Sequence, residues 1–177
     1  MAKIELKNVA HSYSPDVENP EYALKKCNLS WKDGGRYAVL GPSGCGKTTM
    51  LNIMSGLVTP SEGTIKFDGV DITNMSTAER NIAQVFQFPV IYNTMTVAQN
   101  LGFPLLCRNY PKEVIIKKVD QVAQTLGLEN LLNLRATKLT ADQKQLISLG
   151  RGLVREDVAA ILMDEPLTVI DPDLKFR

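Results

Sequence analysis

Polar and apolar positions alternate at the start of the chain. Ile4, Leu6 and Val9 stand against Lys3, Glu5 and Lys7, which predicts a strand with one face toward water. A polar loop carrying Pro15 and Pro20 runs from Ser12 to Glu21, and a second strand is expected over about residues 24–31. Beyond the turn Asp33-Gly34-Gly35, the apolar run Tyr37-Ala38-Val39-Leu40 predicts a short buried strand. Met50, Leu51, Ile53, Met54 and Leu57 then recur at helical spacing, and Gly56 and Pro60 mark the stop. Thr64–Phe67 and Val70–Ile72, joined by Asp68-Gly69, predict a hairpin. Antiparallel strands thus flank a sheet whose centre should be parallel.

Residues 81–87 read as another strand, closed by Gln87 and broken by Phe88-Pro89. From Thr96 the pattern is helical. Pro111 suits a helix start, Ile115, Val119, Val122 and Leu126 share one apolar face, and Gly127 suits a C-terminal cap. A short helix is expected over 128–134. Thr140-Ala141-Asp142-Gln143 matches a capping box that opens a helix through Ile147, Leu149, Leu153 and Val154. The uninterrupted apolar run 158–163 reads as a strand buried on both faces, and it ends in Asp164-Glu165-Pro166.

Composition narrows the function classes. With 177 residues, 44% apolar and 22% charged, the chain suits a globular domain with its own core. A net charge of +1 makes no electrostatic case for nucleic acid or an anionic membrane. Cys27, Cys45 and Cys107 are scattered, with no Cys-x-x-Cys pair, which points to a reducing compartment and no cysteine metal site. The N-terminus has no signal-peptide core, and no apolar run approaches the ~20 residues of a membrane helix. A cytoplasmic chain is expected.

The stretch Gly41-Pro42-Ser43-Gly44-Cys45-Gly46-Lys47-Thr48-Thr49 fits the phosphate-loop pattern, between an expected strand and an expected helix. Glycines let successive N–H groups turn toward a polyphosphate, and the helix N-terminus adds positive potential. Lys47 supplies charge to the outer phosphates of ATP, and the Thr48 hydroxyl can ligate Mg²⁺. Asp164, after an apolar strand, would hold Mg²⁺ opposite Thr48, and Glu165 would act as general base on water. Tyr13 has two readings: an adenine platform, or an ordinary half-buried loop tyrosine.

Taken together, these motifs resemble the ATPase subunit of ABC transporters across all 177 residues. Gly41–Thr49 is similar to that family's Walker A motif and Ile161–Glu165 to its Walker B motif. The resemblance implies an α/β phosphate-loop fold, with core residues 1–88 and 155–177 and an inserted helical subdomain over 89–154. It places Gln87 as the Q-loop glutamine, sensing Mg²⁺ and the γ-phosphate, and assigns residues 167–171, with Asp171, to the D-loop. It makes Tyr13 the residue that stacks on adenine. Met95-Thr96-Val97, Asn100 and Phe103-Pro104-Leu105 are similar to the sugar and glycerol-phosphate importer branch. Implied partners are a second ABC ATPase subunit, two membrane permeases and, indirectly, a periplasmic solute-binding protein, with the chain peripheral on the inner membrane face.

Two departures stand out. Where the family's signature reads Leu-Ser-Gly-Gly-Gln, this chain has Leu139-Thr140-Ala141-Asp142-Gln143, and its single histidine is His11, far from the family's switch position. An N-terminal portion of a longer subunit is therefore expected, with little or no ATPase activity by itself and a heterodimeric partner completing one site. The alternatives are a soluble, non-transport ABC ATPase and a regulatory ABC subunit.

Overall fold

The computed structural model describes residues 1–168 and Ile170; the expected D-loop residues Val169 and Asp171 lie outside them. Strand β1 (Ile4–His11) pairs antiparallel with β2 (Leu24–Trp31) and with β3 (Glu62–Phe67). The hairpin partner of β3 is β4 (Val70–Asp71), which gives the order β2-β1-β3-β4. Alternation buries Ile4 and Leu6, and a bulge around Asn8, whose φ is 51°, brings Val9 into the core as well. Ile65 and Phe67 are buried across the pairing. Helix α1 (Lys47–Ser55) supplies Met50, Ile53 and Met54 to the same apolar cluster.

A second sheet pairs β5 (Ile82–Val85) with β6 (Ala160–Met163). The Ala159 N–H donates to the Asn81 carbonyl and the Asp164 N–H to the Val85 carbonyl, both at 2.9 Å, so the two strands ascend together and are parallel. Ala160 and Leu162 are buried, Ile161 is half-buried and Met163 is exposed. The expectation of burial on both faces is corrected, because Ile161 and Met163, on the face opposite Ala160 and Leu162, keep partial or full exposure.

The larger correction concerns Tyr37–Leu40. No strand forms there, and Leu40 is 90% exposed. A four-residue apolar strand gains its stability from pairing, and no described strand bonds to this segment. Tyr37 turns back instead. Its hydroxyl accepts from the Lys32 N–H at 3.0 Å, and its ring meets Trp31 edge-on at 6.4 Å. Gly35 makes room, since a Cβ there would lie 2.3 Å from the Tyr37 ring.

The remaining helices are α2 (Val97–Leu106), α3 (Lys112–Leu126) and α4 (Ala141–Leu153). Val97, Leu101, Val119, Ala123 and Ile147 form their shared core, with Ile115, Val122 and Leu126 packed against it. Thr96 and Thr140 each close a capping box, and Gly127 in the left-handed region ends α3. In place of the expected short helix over 128–134, a single 3-10 turn covers Glu129–Leu131. Contacts divide the chain into a first unit, residues 1–82 with 157–162, and a second, residues 83–156 with the described residues from 163 on.

Candidate functional site

The first unit carries the phosphate loop. Gly44 and Gly46 have φ of 78° and 95°, so the loop turns through backbone conformations that side chains disfavour. A Cβ on Gly46 would lie 2.4 Å from the Ala23 carbonyl oxygen, so the loop passes where only glycine fits. Gly46 is also the N-cap of α1, whose first turn has no capping side chain and no acid. The amides of that turn are thus left to an anion.

Lys47 Nζ donates to the carbonyls of Gly41 and Pro42 at 2.8 and 2.9 Å. Two of its three protons clasp the loop, and a third, longer donation runs to Cys45 Sγ at 3.9 Å. Thr48 is exposed and Thr49 buried. The Tyr13 hydroxyl lies 3.4 Å from Thr49 Oγ1, and its ring, 63% exposed, rests edge-on against His11 at 4.6 Å. An open aromatic face thus stands next to the start of α1, as a base-stacking residue would require.

At the far end of α1, the buried Arg80 guanidinium donates to the carbonyls of Ile53, Met54, Thr73 and Met75. Burial pushes its pKa below the ordinary arginine value. This residue, which the motifs do not reveal, satisfies carbonyls that the helix end leaves over.

The second unit carries Gln87, Asp164, Glu165 and the signature segment. Glu165 is exposed, with φ of 45°, a left-handed conformation uncommon outside glycine. Thr168 holds it there: its N–H and hydroxyl donate to the Glu165 carbonyl at 3.1 and 3.0 Å. Gln87 Nε2 and Thr168 Oγ1 lie 3.4 and 3.3 Å from Glu165 Oε2. Gln87 and Glu165, 78 positions apart in sequence, are thereby brought together. Asp164 is half-buried, and its N–H belongs to the β5–β6 pairing.

Thr140 caps α4, its hydroxyl accepting from the Gln143 N–H at 3.3 Å while Gln143 Oε1 accepts from the Thr140 N–H at 3.1 Å. The Gln143 amide oxygen is committed to the helix start. Ala141 is exposed and Asp142 half-buried in the first turn.

Cysteine alkylation gives a direct test of the loop. Cys45 is exposed inside it, with Lys47 Nζ 3.9 Å from its sulfur, and Cys107 is exposed at the end of α2. Cys27 is half-buried, and burial pushes its thiol pKa up. A Cβ on Gly41 would meet Cys45 Sγ at 2.5 Å, so the thiol already fills the space there. A maleimide adduct at Cys45 is expected to block nucleotide binding, and MgATP is expected to slow its formation at least ~10-fold while Cys107 labels at an unaltered rate. Mass spectrometry per cysteine reads both, and equal labelling of Cys45 with and without MgATP contradicts the placement.

Comparison with known proteins identifies the family. A family model described as ABC transporter matches residues 24–168. The chain is 39% identical over its whole length to the sn-glycerol-3-phosphate import ATP-binding protein UgpC of Brucella abortus (strain 2308), covering 49% of that protein. It is 41% identical to the trehalose import ATP-binding protein SugC of Mycobacterium tuberculosis (strain CDC 1551 / Oshkosh), covering 44% of it. The chain thus spans about half the length of the curated relatives it matches. Among solved structures, the post-hydrolysis dimer of the ATP-binding cassette MJ0796 bound to ADP and Pi superposes with a TM-score of 0.84 at 30% identity, over 97% of this chain and 77% of that one. With its phosphate loop, its Asp164-Glu165 strand end and a match to more than half its length, the chain belongs to the ABC transporter ATP-binding family.

Proposed function

We propose that the full-length subunit binds and hydrolyses ATP to power solute import through two membrane permease subunits. The observation that carries this is the phosphate loop, an uncapped, glycine-lined helix start with the Lys47 ammonium clasped over it. Such a site favours a polyphosphate over other anions because several amides and one full charge converge on adjacent oxygens. Thr48 and Asp164 would hold Mg²⁺, which keeps several waters and needs few protein ligands beside the phosphates. Gln87 and Glu165 would orient and deprotonate the attacking water, and Tyr13 would stack on adenine. Relatives named for sn-glycerol-3-phosphate and trehalose import favour a sugar, polyol or glycerol-phosphate-like solute. No helix among the described residues is long and apolar enough to cross a membrane, which accords with attachment through permeases on the inner face.

The altered signature supports a heterodimer with one weakened ATP site. In a dimer with nucleotide between subunits, Asp142 in the first turn of α4 would face the partner's phosphates. Two unit charges ~5 Å apart repel by roughly 3 kcal/mol at an effective dielectric of ~20. An acid in a first helical turn gains only ~0.3–1 kcal/mol, so helix stability does not account for the site's chemistry.

Permease-containing vesicles test both statements. The subunit is expected to sediment with them and to support ATP-driven uptake. Its homodimer should hydrolyse ATP at least ~10-fold more slowly than a dimer with a subunit bearing Leu-Ser-Gly-Gly-Gln, and Asp142→Gly should recover most of the difference. A subunit that stays unbound removes the transport reading. Equal homodimer and heterodimer rates, unmoved by Asp142→Gly, remove the asymmetric site.

A further inference from the structure

Gln145 is fully buried in α4, two residues beyond Gln143. Its Nε2 donates to the Phe86 carbonyl at 3.1 Å and to the Pro166 carbonyl at 2.8 Å, so both amide protons are used. Exchanging oxygen and nitrogen would set the oxygen against two carbonyls, which fixes the orientation of the amide. Phe86 directly precedes Gln87 and Pro166 directly follows Glu165. One side chain therefore holds the backbone beside each of two polar side chains that themselves stand 3.4 Å apart.

Its Oε1 is buried with no hydrogen-bond partner among the described residues. An orphaned carbonyl oxygen opposes folding, and a methionine or leucine of similar size would avoid that cost. What neither can supply is two donors in one plane, aimed at two carbonyls on different segments. Packing alone therefore does not account for an amide at this position.

We propose that Gln145 is a positioning residue that sets the spacing of Gln87 and Glu165 and ties it to the start of α4. This rests on the reading that Gln87 and Glu165 act in ATP hydrolysis. Glu165 keeps a backbone conformation with few stabilising alternatives, so a tether on the next carbonyl decides where its carboxylate points. The tether comes from the helix that begins with Thr140–Gln143. A shift of α4 along its axis therefore pulls on the Phe86 and Pro166 carbonyls together, and the placement of Glu165 follows the state of the signature segment.

Gln145→Met keeps the volume and removes both donors. In hydrogen exchange on this chain, the Asp164 and Thr168 amides should exchange at least ~10-fold faster, while the interior amides of α3 keep their protection. In the permease-bound full-length subunit, kcat should fall about 10- to 100-fold with KM for ATP within a factor of ~2, because the phosphate loop is untouched and only alignment is lost. If Gln145→Met does not fold, Gln145→Leu decides on the same readouts, since it fills most of the space and donates nothing. Unaltered exchange at Asp164 and Thr168, or an unaltered kcat, overturns the proposal. A wild-type subunit that does not hydrolyse ATP overturns the functional reading instead, and the exchange result still decides the tether.

Discussion

Lys47→Ala is expected to lower affinity for ATP at least ~100-fold and to abolish hydrolysis. The ammonium bridges the Gly41 and Pro42 carbonyls at 2.8 and 2.9 Å, so its loss removes the loop's own clasp and the only full positive charge in the motif together. Removing a single preorganised donor from developing charge already costs about 10²- to 10³-fold in rate. Helix α1 should survive, since no side-chain bond caps its start and its apolar face is remote from the ammonium. Lys47→Arg should not rescue binding, because a longer, bulkier guanidinium with its donors fixed in a planar fork does not reproduce a compact ammonium at this point of a tight loop. Calorimetric titration with ATP and circular dichroism on the same samples check this; retained affinity with retained structure would remove Lys47 from the site.

Glu165→Gln should behave in the opposite way: ATP affinity within a factor of ~3 of wild type, and hydrolysis down about 10²- to 10⁴-fold. An amide keeps an oxygen facing Gln87 Nε2 and Thr168 Oγ1, and the left-handed turn held by Thr168 is untouched. What it lacks is a basic oxygen that can take a proton from water. The pair of variants separates binding from chemistry, and equal loss of binding in both would contradict the two roles.

Much of this architecture is written locally. Helix ends follow from Gly56, Gly127 and the Thr140–Gln143 capping box, because each depends on residues a few positions apart. The phosphate loop is legible for the same reason, its chemistry being packed into nine consecutive residues. Long-range features are not. Tyr37–Leu40 reads as a strand, yet a strand exists only where a neighbour pairs with it. Gln145 reads as one polar residue in an amphipathic helix, and its partners lie 59 and 21 positions away. Arg80 carries no motif, though it reaches 26 and 27 positions back to the end of α1. The backbone of Glu165 leaves no mark on composition or periodicity at all.

Arg80 gives α1 two unlike ends. The trailing end is moored through Ile53 and Met54 to the same guanidinium that grips Thr73 and Met75 beyond β4, whereas the leading end opens on the phosphate loop. A cation thus sits at the negative end of the α1 dipole and leaves the positive end uncompensated, so the helix is polarised toward whatever anion the loop receives.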